Sequence, residues 1–301
     1  MKKIALLSLF ILLSASLYAK DYHKTEEMIN NILNEENEAS AIKDEKAKQA
    51  QAEIKSDAEA EEEKGAADTG ENKTAGEEGQ DEKKIAMTEK DEVILKTGIQ
   101  LFESGMYDEA LVRFNDLIKN HPSSKFIDSA RIWAGKIHIR KYQYDEAVKE
   151  FGNVSEKSGE YPAALYYKAE SLRIKGDYTG AIENYQKVSS TYPENELSDK
   201  SILMTGKLFL NSGKGYQALE SALKIVRYYK ERETIDDAYY LVAKIYEKDP
   251  LLKDVEISRK FYRNFIKKAQ NKQKHFADSP LLDAVKQDLR HLEKNYFNLE
   301  R

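Results

Sequence analysis

The 301-residue sequence contains no cysteine. Disulfides, thiolate metal sites, cysteine nucleophiles and the cysteine-borne lipid anchor of bacterial lipoproteins are therefore excluded. Proline occurs five times and glycine 14 times, too few for a sandwich or barrel built from many tight turns. Five histidines are present, and no two of them stand at metal-ligand helical spacing. No glycine-rich phosphate loop and no nucleophile-elbow sequence occurs, and the adjacent carboxylates Asp236 and Asp237 point in different directions on a helix. The chain is accordingly expected to be no enzyme, with no cofactor, no metal and no small-molecule substrate.

Charge, in contrast, is abundant: 34% of residues are charged, with a net charge of −5 that averages two unlike regions. Residues 1–19 have a positive start at Lys2 and Lys3, an apolar run from Ile4 to Leu13, and small residues Ser14, Ala15, Ser16 and Ala19. This is the layout of a cleaved secretory signal, and no second run of spanning length follows. Residues 20–40 include a short apolar stripe, Tyr22, Met28, Ile29, Ile32 and Leu33, which predicts a brief helix or a frayed end. Residues 41–88 read as an acidic disordered linker. Between Glu36 and Lys84 there are 16 acidic against 8 basic side chains, no aromatic, and only Ile42 and Ile54 as large aliphatics. Such a stretch cannot bury enough apolar surface to offset chain entropy. From residue 85 onward 36 basic side chains face 33 acidic ones.

Sliding residues 89–301 over themselves exposes a repeat. Gly98, Gly105, Tyr107, Ala110, Phe114 and Pro122 recur as Gly135, Tyr144, Ala147 and Phe151, then as Ala169, Gly176, Tyr178, Ala181, Tyr185 and Pro193. A fourth copy keeps Gly206, Gly213, Ala218 and Ala222, and a weaker fifth keeps Ala243, Ser258 and Tyr262. Small residues in the middle of two successive helices permit close crossing, tyrosine opens the second helix, and the ring seven residues later fills the space between repeats. Every proline falls at a helix end or in a turn of this register. A last amphipathic segment bearing Leu281, Leu282, Val285, Leu289, Leu292 and Tyr296 can close the open end. The fold expected is all-α, about five stacked helix pairs with a C-terminal capping helix.

This series resembles the tetratricopeptide repeat family over about residues 90–270, which implies a superhelical solenoid with first helices lining a concave face. Two departures stand out: Gly215 replaces the tyrosine and Ala222 the ring in the fourth repeat, and the fifth has a longer turn and Ser258 in place of alanine. Pro122-Ser123-Ser124 and Asp278-Ser279-Pro280 are similar to segments of bacterial envelope members, among them outer-membrane assembly scaffolds and a periplasmic cell-division coordinator. The coordinator's N-terminal coiled coil has no counterpart here in sustained heptads.

Family geometry then directs Phe102, Trp133, Lys136, Arg140, Tyr166, Arg173, Lys207, Asn211, Tyr240, Lys244 and Lys248 to the concave face. The resemblance implies a periplasmic protein, associated with the outer membrane or the wall, that binds peptide segments of other envelope proteins in this groove. The basic residues favour an acidic segment; equally, they are the solvated face of ordinary helices. A second basic cluster, Arg259, Lys260, Arg263, Lys267, Lys268, Lys272 and Lys274, is a candidate for contact with an anionic surface. Nucleic acid is not expected as a partner of an exported chain. Two other readings stand beside this one: a coordinator of peptidoglycan synthesis or division that self-associates through residues 22–35, and a subunit of a wall enzyme.

Overall fold

The computed structural model describes residues 27–32 and 81–297, with side chains described from Glu89 onward in the second stretch. The expected signal and most of the expected linker lie outside the described residues. The chain divides into two units, Met1–Thr74 and Ala75–Arg301. In the first, residues 27–32 are helical, with Ile29 and Ile32 buried.

Among the described residues of the second unit, all regular secondary structure is helical. Its elements are α1 (Asp81–Glu103), α2 (Tyr107–Asn120), α3 (Ile127–Arg140), α4 (Tyr144–Gly152), α5 (Tyr161–Lys175), α6 (Tyr178–Thr191), α7 (Ser198–Asn211), α8 (Gly215–Tyr228), α9 (Ile235–Lys248), α10 (Val255–Gln270), a single turn α11 (Lys274–Ala277) and α12 (Leu282–Tyr296). Five consecutive pairs, α1/α2 to α9/α10, form the repeats. Helix α1 starts inside the stretch expected to be linker. After Gly79 no glycine or proline interrupts the chain until Gly98, and Glu82, Lys83, Lys84, Met87, Glu89 and Lys90 are straight-chain residues of high helix propensity.

Each second helix packs on its own first helix and on the first helix of the next pair. First helices also touch one another directly, α1 with α3, α3 with α5, and α7 with α9. This closer approach puts the first helices on the inside of the curve. Helix α12 packs on α10, where Val285 and Leu292 are buried, so the end of the array is covered as the sequence predicts.

The repeat positions explain the packing. Ala110, Ala147, Ala181 and Ala218 are fully buried, and Phe114, Phe151, Tyr185 and Tyr262 are the rings between repeats, at 0–1% exposure. Burying each ring stabilises the stack by about 1.5–3 kcal/mol. Phe114 lies over Gly98 and Phe151 over Gly135. In the fourth repeat, where Ala222 supplies no ring, the Leu241 side chain from the next repeat approaches Gly206 instead. Ser258 occupies the fifth repeat's small site and is fully buried. Tyr107 and Tyr144 are half-buried at the openings of α2 and α4, whereas Tyr178 stands exposed.

The turn within a pair has one repeated geometry. Gly105, Gly176 and Gly213 have φ of 78°, 87° and 69°. The amide of the following residue, in Met106, Asp177 and Lys214, donates back to the carbonyl of Leu101, Leu172 and Phe209. This is the left-handed helix stop that glycine supplies without strain. Proline appears at the start of α5 as Pro162, and Asp177 caps α6 by accepting from the Gly180 amide at 2.9 Å.

A further repeated element joins successive pairs. Asp91, Asp128, Asp199 and Asp236 each lie seven residues before the small residue of their first helix. Asp91 meets His121 Nδ1 at 2.5 Å. Asp128 accepts from the Ser155 amide at 3.2 Å, and Asp199 from the Thr234 hydroxyl at 2.8 Å. Asp236 accepts from Ser279. Each aspartate thus ties one repeat to the turn that leads into a later helix.

Candidate functional site

The inner face starts apolar and becomes polar along the array. Phe102 and Trp133 meet edge to face, with ring centroids 5.1 Å apart, and Trp133 stacks on Phe114 at 6.4 Å. Both belong to the cluster formed by α1, α2 and α3, so they serve packing as well as lining the face. Lys136 lies over Trp133 at 4.3 Å and over Tyr167 at 4.6 Å, a cation held between two rings. Arg140 is exposed. His138 is half-buried and shares a hydrogen bond of 2.8 Å with Gln143.

Farther along, three of the expected groove cations, Arg173, Lys207 and Lys244, are already engaged with carboxylates of the same chain. Arg173 bridges Glu170 at 2.8 Å, and Tyr185 donates its phenol proton to the same carboxylate. Tyr166 packs edge-on against Tyr185 at 5.7 Å; burial first, and the Glu170 charge second, push its pKa up to about 12. Lys207 reaches across to Asp237 on α9 at 2.7 Å. Lys244 binds Glu247 at 2.9 Å and Asp288 of the capping helix at 3.1 Å. Tyr240 donates to Asp288 at 2.8 Å, and Tyr262 to Glu247 at 2.6 Å. Glu170 and Glu247 stand three residues from their cations, but that Asp237 faces Lys207 and Asp288 faces Lys244 was invisible in the sequence, because it depends on the stagger of α7, α9 and α12.

Five of the nominated residues nevertheless converge. Lys207, Asn211, Tyr240, Lys244 and Lys248 line one open cleft of about 360 Å³ between α7 and α9, with Leu210, Leu241 and Pro250 as its apolar wall. A second cleft of about 420 Å³, lined by Tyr166, Leu203, Met204, Asp236 and the 274–280 segment, lies beside it. The Lys207–Asp237 pair stands between the two, each partner lining one of them. Within the first cleft Lys248 and Asn211 are the exposed polar groups. Phe102, Trp133, Lys136, Arg140 and Arg173 do not join either cleft. Among the described residues, no group of three or more histidines and carboxylates could hold a metal ion.

The C-terminal basic cluster is likewise partly consumed. Arg259 bridges Glu256 at 2.9 Å and lies 3.8 Å over the Phe297 ring, Arg263 binds Glu293 at 2.5 Å, and Lys268 stands 5.1 Å over Tyr239. Lys260, Lys267, Lys272 and Lys274 are exposed.

Comparison with known proteins agrees with this architecture. The tetratricopeptide repeat family model matches residues 92–124 and 163–195. A crystal structure of MamA protein is similar to this chain, with TM-score 0.50 and 17% identity over 60% of this chain and 95% of that one. A tetratricopeptide repeat protein from Parabacteroides merdae is similar with TM-score 0.51 and 12% identity, over 70% of this chain and 80% of that one. At these identities the likeness concerns the fold. No curated protein matches the chain. Two family-model matches on the first and third helix pairs, together with glycine-stopped turns and rings seated over small residues, identify these pairs as tetratricopeptide repeats.

Proposed function

We propose that the protein is a non-catalytic scaffold that holds a segment of a partner protein along its first helices, chiefly in the cleft between α7 and α9. The observation that carries this reading is the convergence of Lys207, Asn211, Tyr240, Lys244 and Lys248 on one open cleft. Stacked repeats create extended inner surfaces suited to such segments. Tyr240, Leu210, Leu241 and Pro250 offer apolar area, and Lys248 and Asn211 offer exposed donors for a carboxylate or a backbone carbonyl of the partner. Because Lys207 and Lys244 are bound to internal carboxylates, the partner's acidic group is received at the Lys248 end of the cleft. The three-part layout of residues 1–19 supports work in an exported compartment of the bacterial envelope.

A photoreactive residue in place of Asn211, in the full chain expressed in its own cells, tests the cleft. It should capture a defined polypeptide that a photoreactive residue at the exposed outer-helix position Lys149 does not. Equal capture from both positions would remove the cleft as the docking site. N-terminal sequencing of the fractionated protein tests export; an intact Met1 in the cytoplasmic fraction alone would overturn it.

A further inference from the structure

Tyr142 occupies a place in the fold that belongs to glycine. It follows α3 as Gly105 follows α1, Gly176 follows α5 and Gly213 follows α7, and its φ is 59°. The hydrogen bonds are the same as well: the Tyr142 amide donates to Ile139 and the Gln143 amide to His138. A side chain is strained in this left-handed backbone, and glycine is not. The ring returns nothing to the core that would offset the strain. It is 80% exposed, and its ring neighbour is Tyr144, edge-on at 6.4 Å.

The surroundings indicate what the ring is for. Met106, Ile174 and Tyr178, at the turns of the flanking repeats, are also exposed. Lys141, next to Tyr142, is paired with Asp108 of the preceding repeat, and Lys175 with Asp145, so consecutive turns are joined into one continuous edge. With those lysines neutralised, the exposed Glu109, Glu146 and Asp177 outweigh Arg140. An upright aromatic face beside carboxylates attracts guanidinium and ammonium groups and repels anions. The chain itself makes this contact elsewhere, where Lys253 lies 5.0 Å over Tyr296.

We propose that the turn edge of the first three repeats, centred on the strained and exposed Tyr142, docks an arginine- or lysine-bearing segment of a partner protein. This edge is separate from the α7–α9 cleft, so either docking site can fail without the other.

The methionines allow a site-resolved test on the full chain labelled with methyl-¹³C methionine. Met106 reports on the edge and Met204 on the second cleft. The probe is a capped octapeptide of alternating arginine and glycine, compared with its glutamate counterpart. The arginine peptide should shift the Met106 methyl saturably and leave Met204 in place, and the glutamate peptide should shift neither. Tyr142→Gly should weaken the arginine peptide by roughly two- to fivefold, and Tyr142→Phe, which keeps the aromatic face, should retain it. Tyr142→Gly should also melt at the same temperature as the native chain or a few degrees higher, so that lost binding is not lost folding. An unmoved Met106, equal response to both peptides, undiminished binding by Tyr142→Gly, or a lowered melting temperature of that variant would overturn the proposal.

Discussion

The Phe151 ring lies so close over Gly135 that a Cβ at that position would stand 2.5 Å from its Cε1 and 2.6 Å from its Cζ. Phe114 and Gly98 repeat the relationship at 2.6 and 2.8 Å. No real Cβ tolerates such a distance, and the ring, 1% exposed, has nowhere to retreat without parting the second repeat from the third. Gly135→Ala should therefore destabilise the array by about 1–3 kcal/mol through overpacking, although alanine is the better helix former by about 1 kcal/mol. Gly206→Ala is the internal control. There the nearest atom is Leu241 Cδ2 at 3.0 Å, the end of a flexible side chain. Thermal melts followed by circular dichroism should rank Gly206→Ala well above Gly135→Ala; equal melting temperatures would contradict this account of the crossing.

The capping helix is held by charge as well as by Val285 and Leu292. Asp288 receives both the Tyr240 phenol and the Lys244 ammonium, and Glu247 receives Lys244 and the Tyr262 phenol. Burial disfavours the Lys244 cation, but the hydrogen bonds to Glu247 and Asp288 outweigh it and raise its pKa. Burial, and then the bond to Asp288, push Tyr240 up to about 12, and Tyr262 is raised by burial and Glu247. Asp288→Ala should cost about 1–3 kcal/mol by leaving Lys244 half-paired and should speed amide exchange in α12 more than in α5. All three groups have folded pKa values above their unfolded ones. Their stabilisation is present at neutral pH and is lost as the pH rises through the folded values. Melting temperature should thus fall steeply above about pH 10, and less steeply in Asp288→Ala.

Much of the architecture was legible because each repeat position is constrained by its immediate neighbours. Gly98 and Gly135 had to be small, Phe114 and Phe151 had to be large, and both facts are written at one spacing. The aspartates Asp91, Asp128, Asp199 and Asp236 follow the same spacing, so the signal was available but lay hidden among the chain's 53 acidic residues. The start of α1 escaped because acidic, alanine-rich composition also describes an exposed helix once glycine is gone. The groove was only half legible: the sequence named five residues of the cleft, and Glu247 stands three residues from Lys244, yet Asp237 and Asp288, which reach Lys207 and Lys244 from α9 and α12, lie 30 and 44 residues away. The second copy of the repeat carries no counterpart of Gly105, and only the positive φ and the exposure of Tyr142 reveal the residue that stands there as one the fold works against.

Asp236 offers a pH test of opposite direction. It is 4% exposed, and its Oδ1 has no hydrogen-bond partner among the described residues. Burial raises its pKa above the ordinary aspartate value, against the pull of the Ser279 hydroxyl. The folded state therefore holds this proton more tightly than the unfolded chain, and stability from this group grows as the pH falls from above the folded value toward the unfolded one. Asp236→Asn mimics the protonated form. It should raise the melting temperature at pH 7, and the gap to the native chain should narrow on acidification. Calorimetry that finds a constant gap between pH 7 and pH 4 would show that the Asp236 charge is not what burial penalises.

The α7–α9 cleft makes two lysines a matched pair for testing the docking surface. Lys248 is exposed, and Lys207 is bound to Asp237 at 2.7 Å. If a partner's acidic group is received in the cleft, Lys248→Glu should weaken the captured partner by tenfold or more, since it both removes a donor and adds repulsion, on the order of 1.4 kcal/mol or above. Its melting temperature should stay within about 1 °C of native, because an exposed lysine contributes little to the fold. Lys207→Ala acts differently: it leaves Asp237 unpaired on the wall between the two clefts, so its effect on the partner should be reversed by adding Asp237→Asn. Titration of the four proteins with the captured polypeptide decides the matter. Equal affinity for Lys248→Glu and the native chain would move the docking surface away from this cleft, and a Lys207→Ala defect that persists in the double variant would mean that Lys207 itself, rather than its pairing, contacts the partner.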